Sequence, residues 1–162
     1  MDTHDFIARY AEIYEHSPWV AELVAPIAAE LADMDRLAEI MADCVDNADK
    51  EQQLNLIRAH PELAGKAQVA GELTADSTAE QTSAGLHRCT KVEYERFQAL
   101  NDAYKDKFGF PFVMAVRDSS CKEILDSFSK RLRNDPDLEF ETALTEIHKI
   151  ARLRLGALET SE

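Results

Sequence analysis

The sequence lacks the features of a secreted or membrane-spanning protein. No apolar run is long enough to cross a bilayer, and the acidic start MDTHDF has no basic segment of the kind that opens a signal peptide. The closing residues LETSE carry no peroxisomal address. We therefore expect a soluble protein of the cytoplasm.

Cysteine is also scarce, and its pattern argues against two kinds of site. The three cysteines, Cys44, Cys89 and Cys121, are odd in number and include no C-x-x-C pair. This makes a disulfide framework or a thiolate zinc site improbable, so we expect buried, reduced thiols. The five histidines show no H-x-x-x-H spacing, and G-x-S-x-G, P-loop and G-x-G-x-x-G motifs are absent. Metal binding, serine-based catalysis and nucleotide binding therefore have no support from motifs.

Positive charge is the third shortage. The 31 acidic residues outnumber the 18 lysines and arginines, which gives a net charge of −13. Such a surface repels phosphate backbones and anionic lipid, so we expect neither nucleic acid nor membrane as a partner. An anionic small molecule would need a pocket that is locally positive or rich in hydrogen-bond donors.

The sequence predicts an all-α fold. Five glycines and five prolines are few for 162 residues, and this length suits one domain, which we expect to span 1–162. Helical periodicity predicts a bundle of six to eight helices, with an irregular apolar segment near 108–117 as the only candidate strand. The expected helix starts are Ser17 with Pro18 at the first helical position, and three capping boxes: Ser77 with Glu80, Thr90 with Glu93, and Ser120 with Glu123.

His60 is the sharpest candidate for chemistry. It stands directly before Pro61, which pushes it out of the helical region and so predicts a helix end at this point. One interpretation is structural, because a cation near a helix C-terminus is favoured by roughly 0.3–1 kcal/mol. The other is catalytic, because a helix C-terminus raises the basicity of imidazole and keeps a proton available near neutral pH.

Two further groups also have a structural and a functional interpretation. The capping box explains Ser77 and Glu80, yet a helix N-terminus also suits an anionic ligand, which these residues and Gln81 would face. Arg117 follows the apolar residues 112–116 and is either a solvent-exposed arginine or a clamp for a carboxylate or ureido oxygen. If this segment is extended, its backbone offers donors and acceptors to a planar heterocycle, on which Phe112 would stack.

Four separated motifs together resemble one family. They are RAHPELAGK, STAEQTSAGL, NDAYKDKFGFPFVMAVR and ALTEIHKIARLRL, and HSPWVAE near the N-terminus is similar too. In this order and spacing they resemble the OHCU decarboxylase family over about residues 5 to 155. OHCU is 2-oxo-4-hydroxy-4-carboxy-5-ureidoimidazoline, the last intermediate between urate and (S)-allantoin.

The resemblance implies an all-helical homodimer that decarboxylates OHCU without metal or organic cofactor. It implies that His60 is the catalytic acid and that Glu80 is the second catalytic residue. The residues that it assigns to the substrate are Pro61, Ser77, Thr78, Ala79, Glu80, Gln81, Phe112, Val113, Met114, Ala115, Val116 and Arg117. Many relatives have glycine where this chain has Asp118, and a carboxylate at this position is expected to pair with Arg117 and weaken its grip on the substrate.

Other functions have weaker support from the residues. A binding module that holds a purine-derived or ureide ligand without turnover would not need His60 and Glu80. A metal-dependent ureide hydrolase conflicts with the poor ligand spacing. A helical interaction protein leaves the irregular segment FGFPFVMAVR unexplained.

Overall fold

A computed structural model of the chain describes residues 1–65 and 73–160. These ranges contain α-helices and a short 3-10 turn, Leu86–Arg88, and no strand occurs within them, which confirms the predicted all-α fold. The helices are α1 Thr3–Tyr10, α2 Trp19–Ala28, α3 Met34–Asp46, α4 Lys50–Ala59, α5 Ala75–Ser83, α6 Lys91–Phe108, α7 Cys121–Arg131 and α8 Pro136–Thr160. None of them is both long and apolar enough to cross a membrane.

The chain divides into two compact units. The first comprises residues 1–60 and the chain from 147 onward, and the second comprises Pro61–Glu146, so α8 contributes to both. The single domain expected over 1–162 stays a prediction.

The first unit contains α1 to α4 and the C-terminal part of α8. Asp2, Asp33 and Asp49 cap three of its helices, each accepting a hydrogen bond from a backbone amide of the first turn. The expected cap of α2 is wrong, because Ser17 Oγ donates instead to Glu15 O at 2.9 Å and Pro18 occupies the cap position. The largest fully buried apolar side chains of this unit are Phe6, Tyr14, Leu37, Met41, Leu56, Ile57 and Ile147.

Aromatic rings fill the core of the second unit. Phe112 stacks on Phe128 with 3.9 Å between ring centroids, and Tyr104 meets both rings edge-on. The capping box of Thr90 with Glu93 that starts α6 is confirmed, and Ser120 caps α7 as expected. Local capping signals therefore set the ends of the two helices that line this core.

The expectation of reduced thiols is wrong for two of the three cysteines. Cys89, just after the 3-10 turn, and Cys121, the first residue of α7, form a disulfide with their Cα atoms 6.2 Å apart. Only Cys44 is free among the described cysteines. Motif spacing missed the pair because the two residues are 32 positions apart and only the fold brings them together.

We expect the disulfide to stabilise the protein measurably. A closed loop of 32 residues corresponds to about 3–4 kcal/mol in the chain-entropy model, so reduction should lower Tm by roughly 10 °C. Calorimetry with and without reductant measures this, and the double substitution Cys89→Ser, Cys121→Ser should reproduce it. Cys44→Ser is the matched control and should leave the response to reductant intact. Three reactive thiols in unfolded, unreduced protein would contradict the pairing.

Candidate active site

His60 lies at the end of α4, as its position before proline predicts. Its backbone is extended, with φ −76° and ψ 141°, and only 7% of the residue is exposed. Nδ1 lies 2.9 Å from Leu56 O. Because a carbonyl oxygen only accepts, Nδ1 carries the hydrogen, and in the neutral ring Nε2 carries the lone pair.

The expectation that His60 keeps a proton available near neutral pH is wrong, although the helix-end carbonyl of Leu56 does raise its basicity. Burial lowers the pKa of His60 from 6.5 to about 4, which outweighs the opposite effects of the hydrogen bond to Leu56 O and of the Glu15 carboxylate. The charges of Arg154 and His16 lower this pKa further. His60 is therefore neutral near pH 7, with Nε2 able to accept a proton.

Two of the charges that shift the pKa of His60, those of Glu15 and Arg154, form a buried ion pair. Glu15 and Arg154 are 2% and 3% exposed, and Oε2 of Glu15 lies 2.7 Å from Nη2 of Arg154. Nη1 of Arg154 also donates to the backbone oxygens of Glu12 and Ile13 at 3.3 and 3.4 Å. Sequence reasoning missed this pair because its members are 139 positions apart and no local pattern links them.

The second unit carries α5, whose start differs from the predicted one. The N-cap is Thr74, whose Oγ1 accepts from Ser77 N at 3.2 Å, so Ser77 and Glu80 do not form a capping box. Glu80 therefore stands inside the helix, and capping no longer explains it. Ser77 and Gln81 are buried, whereas Thr78 and Ala79 are exposed.

Gln81 joins α5 to the segment that follows Pro61. Its Oε1 accepts from Ala64 N at 3.1 Å, and its Nε2 donates to Glu62 O at 3.3 Å. The side chain expected to contact the substrate thus already binds backbone on both sides of its amide.

The apolar segment 111–116 has no regular secondary structure and is held by side chains of the same unit. Arg131 Nη1 donates to Val113 O at 2.6 Å, and Ala115 N donates to Glu146 Oε1 at 3.2 Å. The Phe112 ring is buried, stacked on Phe128, and lies 4.3 Å from Cζ of Arg131. This core position gives no support to ring stacking on a substrate, and the backbone of the segment remains the candidate surface.

A buried carboxylate fixes the arginine that holds Val113. Glu139 Oε1 accepts from Arg131 Nε at 2.5 Å and from Tyr104 OH at 2.8 Å, and Oε2 accepts from Asn134 Nδ2 at 3.0 Å. Breaking a buried pair of this kind costs about 3–5 kcal/mol. The network therefore fixes the start of the irregular segment to the core.

The expected pairing of Asp118 with Arg117 is not found. Asp118 binds Ser83 instead, through its carboxylate at 3.5 Å and its backbone N–H at 3.4 Å, and this joins α5 to the end of the segment 111–116. Its φ of 63° lies in the left-handed region, which explains why glycine suits this position. Arg117 is half-buried and, within the described ranges, has neither a hydrogen bond nor an ion pair.

Within the second unit, these bonds bring three predicted segments together: Pro61–Gly65, α5 and 112–118.

One group of the described residues has metal-ligand atoms close to one another, namely Cys89, Glu93 and Cys121, within 4.8 Å. Its sulfurs are bonded to each other, so they offer no thiolates.

Comparison with known proteins identifies the family. The profile of the family described as OHCU decarboxylase matches residues 1–156. This chain belongs to the OHCU decarboxylase family. The prediction of a decarboxylase, an enzyme of the lyase class, is thereby confirmed.

Individual relatives agree with the family match. The 2-oxo-4-hydroxy-4-carboxy-5-ureidoimidazoline decarboxylase of Haloferax volcanii is 43% identical over all of this chain and 94% of its own. The crystal structure of an (S)-allantoin synthase is similar with a TM-score of 0.78 and 33% identity, over 98% of this chain and 51% of the other. An OHCU decarboxylase crystallised in the presence of (S)-allantoin matches with a TM-score of 0.75 and 22% identity, over 93% of this chain and 96% of its own, which shows a shared fold.

We expect the buried state of His60 to make stability depend on pH. Between pH 6.5 and about 4 the unfolded chain binds a proton at this residue that the folded chain does not, so the free energy of unfolding should fall as the pH falls through this window. Urea unfolding from pH 7 to 4.5 measures this. His60→Gln, which cannot titrate, should lose less stability over the same range. Parallel pH curves for the two proteins would contradict a lowered pKa.

Proposed function

We propose that this protein decarboxylates OHCU to (S)-allantoin in urate degradation. The observation that carries the proposal is the family match over 1–156, supported by 43% identity to the Haloferax volcanii decarboxylase over the whole chain. The (S)-allantoin synthase at 33% identity agrees with this product. We also propose that the active form is a cytoplasmic homodimer.

The reaction takes up one proton from solvent and moves a second proton between two atoms of the substrate. Carbon 4 of OHCU bears the carboxylate and a hydroxyl, and carbon 5 bears the ureido group and an imine double bond. When CO2 leaves, the electrons of the broken carbon–carbon bond form a double bond between carbons 4 and 5, and the imine nitrogen takes up a proton from solvent water. The resulting enol becomes allantoin when its hydroxyl loses a proton and carbon 5 gains one. Delivery to a single face of carbon 5 gives a single enantiomer.

In this proposal His60 moves that proton. Its neutral ring, with the hydrogen on Nδ1 bound to Leu56 O, offers Nε2 to accept the hydroxyl proton. A pKa near 4 makes the protonated ring a stronger acid than an exposed imidazolium, which favours release of the proton to carbon 5. The histidine thus acts first as a base and then as the acid that the family resemblance implies.

The remaining predicted residues bind the substrate in this proposal. Glu80, which lies inside α5, accepts hydrogen bonds from the hydroxyl or ureido N–H groups and so orients the substrate. Arg117, without a partner among the described residues, binds a carboxylate or ureido oxygen. The other proposed contacts are Pro61, Ser77, Thr78, Ala79, Gln81 and the backbone from 112 to 116.

We expect His60→Gln to remove stereospecific turnover. A positioned proton-transfer group contributes about 10²–10⁴ in rate, so kcat should fall by this factor. Urate oxidase and hydroxyisourate hydrolase acting on urate generate OHCU in place, and circular dichroism follows the appearance of optically active allantoin. His87→Asn, a change at an exposed histidine, is the matched control and should keep full activity.

Racemic allantoin, formed by the wild type no faster than without protein, would overturn the proposed function. Saturable binding of a ureide without release of CO2 would then favour a non-catalytic binding module. Full activity of His60→Gln with correct chirality would leave the decarboxylase standing and remove His60 from its mechanism.

We expect opposite effects from Glu80→Gln and Thr74→Ala. Removal of the α5 cap in Thr74→Ala should lower the free energy of unfolding by about 1 kcal/mol and leave kcat unchanged. Glu80→Gln should lower kcat and leave the α5 cap intact, because Thr74 forms the cap and Glu80 lies inside the helix. Denaturant unfolding and the allantoin assay on both variants measure this. Loss of stability with intact turnover in Glu80→Gln would make this residue structural.

A further inference from the structure

Three side-chain amides meet on the backbone that follows Pro61. Besides the two bonds of Gln81 to Ala64 N and Glu62 O, Asn101 Nδ2 donates to Leu63 O at 3.1 Å and Gln98 Nε2 donates to Ala64 O at 2.7 Å. Four backbone groups in three consecutive residues are therefore bound by side chains. We call Gln81, Gln98 and Asn101 the amide clamp.

This segment needs such partners because it is buried and irregular. Leu63 and Ala64 are 6% and 1% exposed, and residues 61–65 lie outside any helix. Buried backbone N–H and C=O groups without regular structure must find other partners. Ala64 also has a φ of 51°, and a non-glycine residue keeps this conformation only when its surroundings fix it.

Asn101 indicates that the clamp does more than stabilise the fold. Its Oδ1 is buried and has no hydrogen-bond partner among the described residues. An unsatisfied buried acceptor costs about 1–3 kcal/mol. The orientation of the amide is nevertheless fixed, because Nδ2 must face Leu63 O. Asn101 therefore binds Leu63 O through Nδ2 while its own Oδ1 has no hydrogen bond within the described residues.

We propose that Gln98 and Asn101 are positioning residues of the decarboxylase, which hold Glu62–Ala64 and thereby fix Pro61 against the substrate. The proposal rests on the proposed function for the role of Pro61. Gln81 has two roles in this proposal: it holds the segment through Ala64 N and Glu62 O, and it is one of the proposed substrate contacts on α5. Gln98 and Asn101 lie on α6 and act only through the segment.

The test compares Gln98→Met with a matched control, Gln53→Met. Gln53 Nε2 donates to Val45 O at 2.9 Å and to Asp46 O at 3.3 Å, so each substitution removes amide-to-carbonyl bonding from a half-buried glutamine. Asn101→Leu is the second clamp variant. Hydrogen–deuterium exchange of peptides covering 57–65 measures how firmly the segment is held, and the allantoin assay gives kcat, KM and enantiomeric excess.

We expect faster exchange in this peptide for Gln98→Met and Asn101→Leu, with no change for Gln53→Met. Misplacement near a reacting centre by about 1 Å costs up to about 10² in rate, so kcat should fall about 10- to 100-fold in the clamp variants. KM should change little, and enantiomeric excess should fall. Gln53→Met should keep all three values at a similar loss of Tm.

Unchanged exchange in both clamp variants would overturn the clamp, whatever the activity. Faster exchange with wild-type kcat and enantiomeric excess would overturn the positioning role and leave the amides purely structural. A wild type without turnover of OHCU is a failure of the proposed function, and exchange confined to the clamp variants would still support a held segment.

Discussion

Backbone that runs outside helices must find hydrogen-bond partners when it is buried, and this constraint organises the second unit. Two irregular segments, 61–65 and 111–116, contain buried residues that no helical ladder serves. The side chains that complete their hydrogen bonds come from α5 to α8, and they are Gln81, Gln98, Asn101, Arg131 and Glu146. These helices therefore form a frame around the two segments, which carry half of the predicted substrate contacts.

In the first unit, burial determines the protonation state of His60. The imidazole of His60 is deprived of water, so its charged form is disfavoured, while the bond to Leu56 O fixes which nitrogen holds the hydrogen. The ion pair of Glu15 with Arg154 supplies opposite charges whose effects on His60 oppose each other. A neutral imidazole with a defined tautomer thus results from packing and one backbone carbonyl.

Local signals in the sequence predicted part of this structure. The helix end at His60 and the caps at Thr90 and Ser120 depend on residues within four positions of each other, and all three are found. The cap of α5 was misplaced by three residues, because Thr74 and Ser77 both have the chemistry of a cap and spacing alone does not distinguish them.

Contacts between residues far apart in the sequence could not be predicted from local signals. The disulfide between Cys89 and Cys121 joins residues 32 positions apart. The hydrogen bond from Ala115 N to Glu146 depends on how α8 packs against the segment 111–116. Sequence alone also cannot distinguish a side chain that faces a ligand from one that holds backbone. Gln81 is the example, with both ends of its amide already bound.

The chemical nature of the amide clamp has a consequence for the conditions under which the protein works. Amides neither ionise between pH 2 and 12 nor attract counterions, so their bonds are insensitive to acidity and to ionic strength. The rest of the chain carries a net charge of −13, and its exposed ion pairs, such as Lys105 with Glu62, weaken as salt rises. The backbone next to Pro61 thus keeps its geometry in media where the surface electrostatics of the same molecule are screened away.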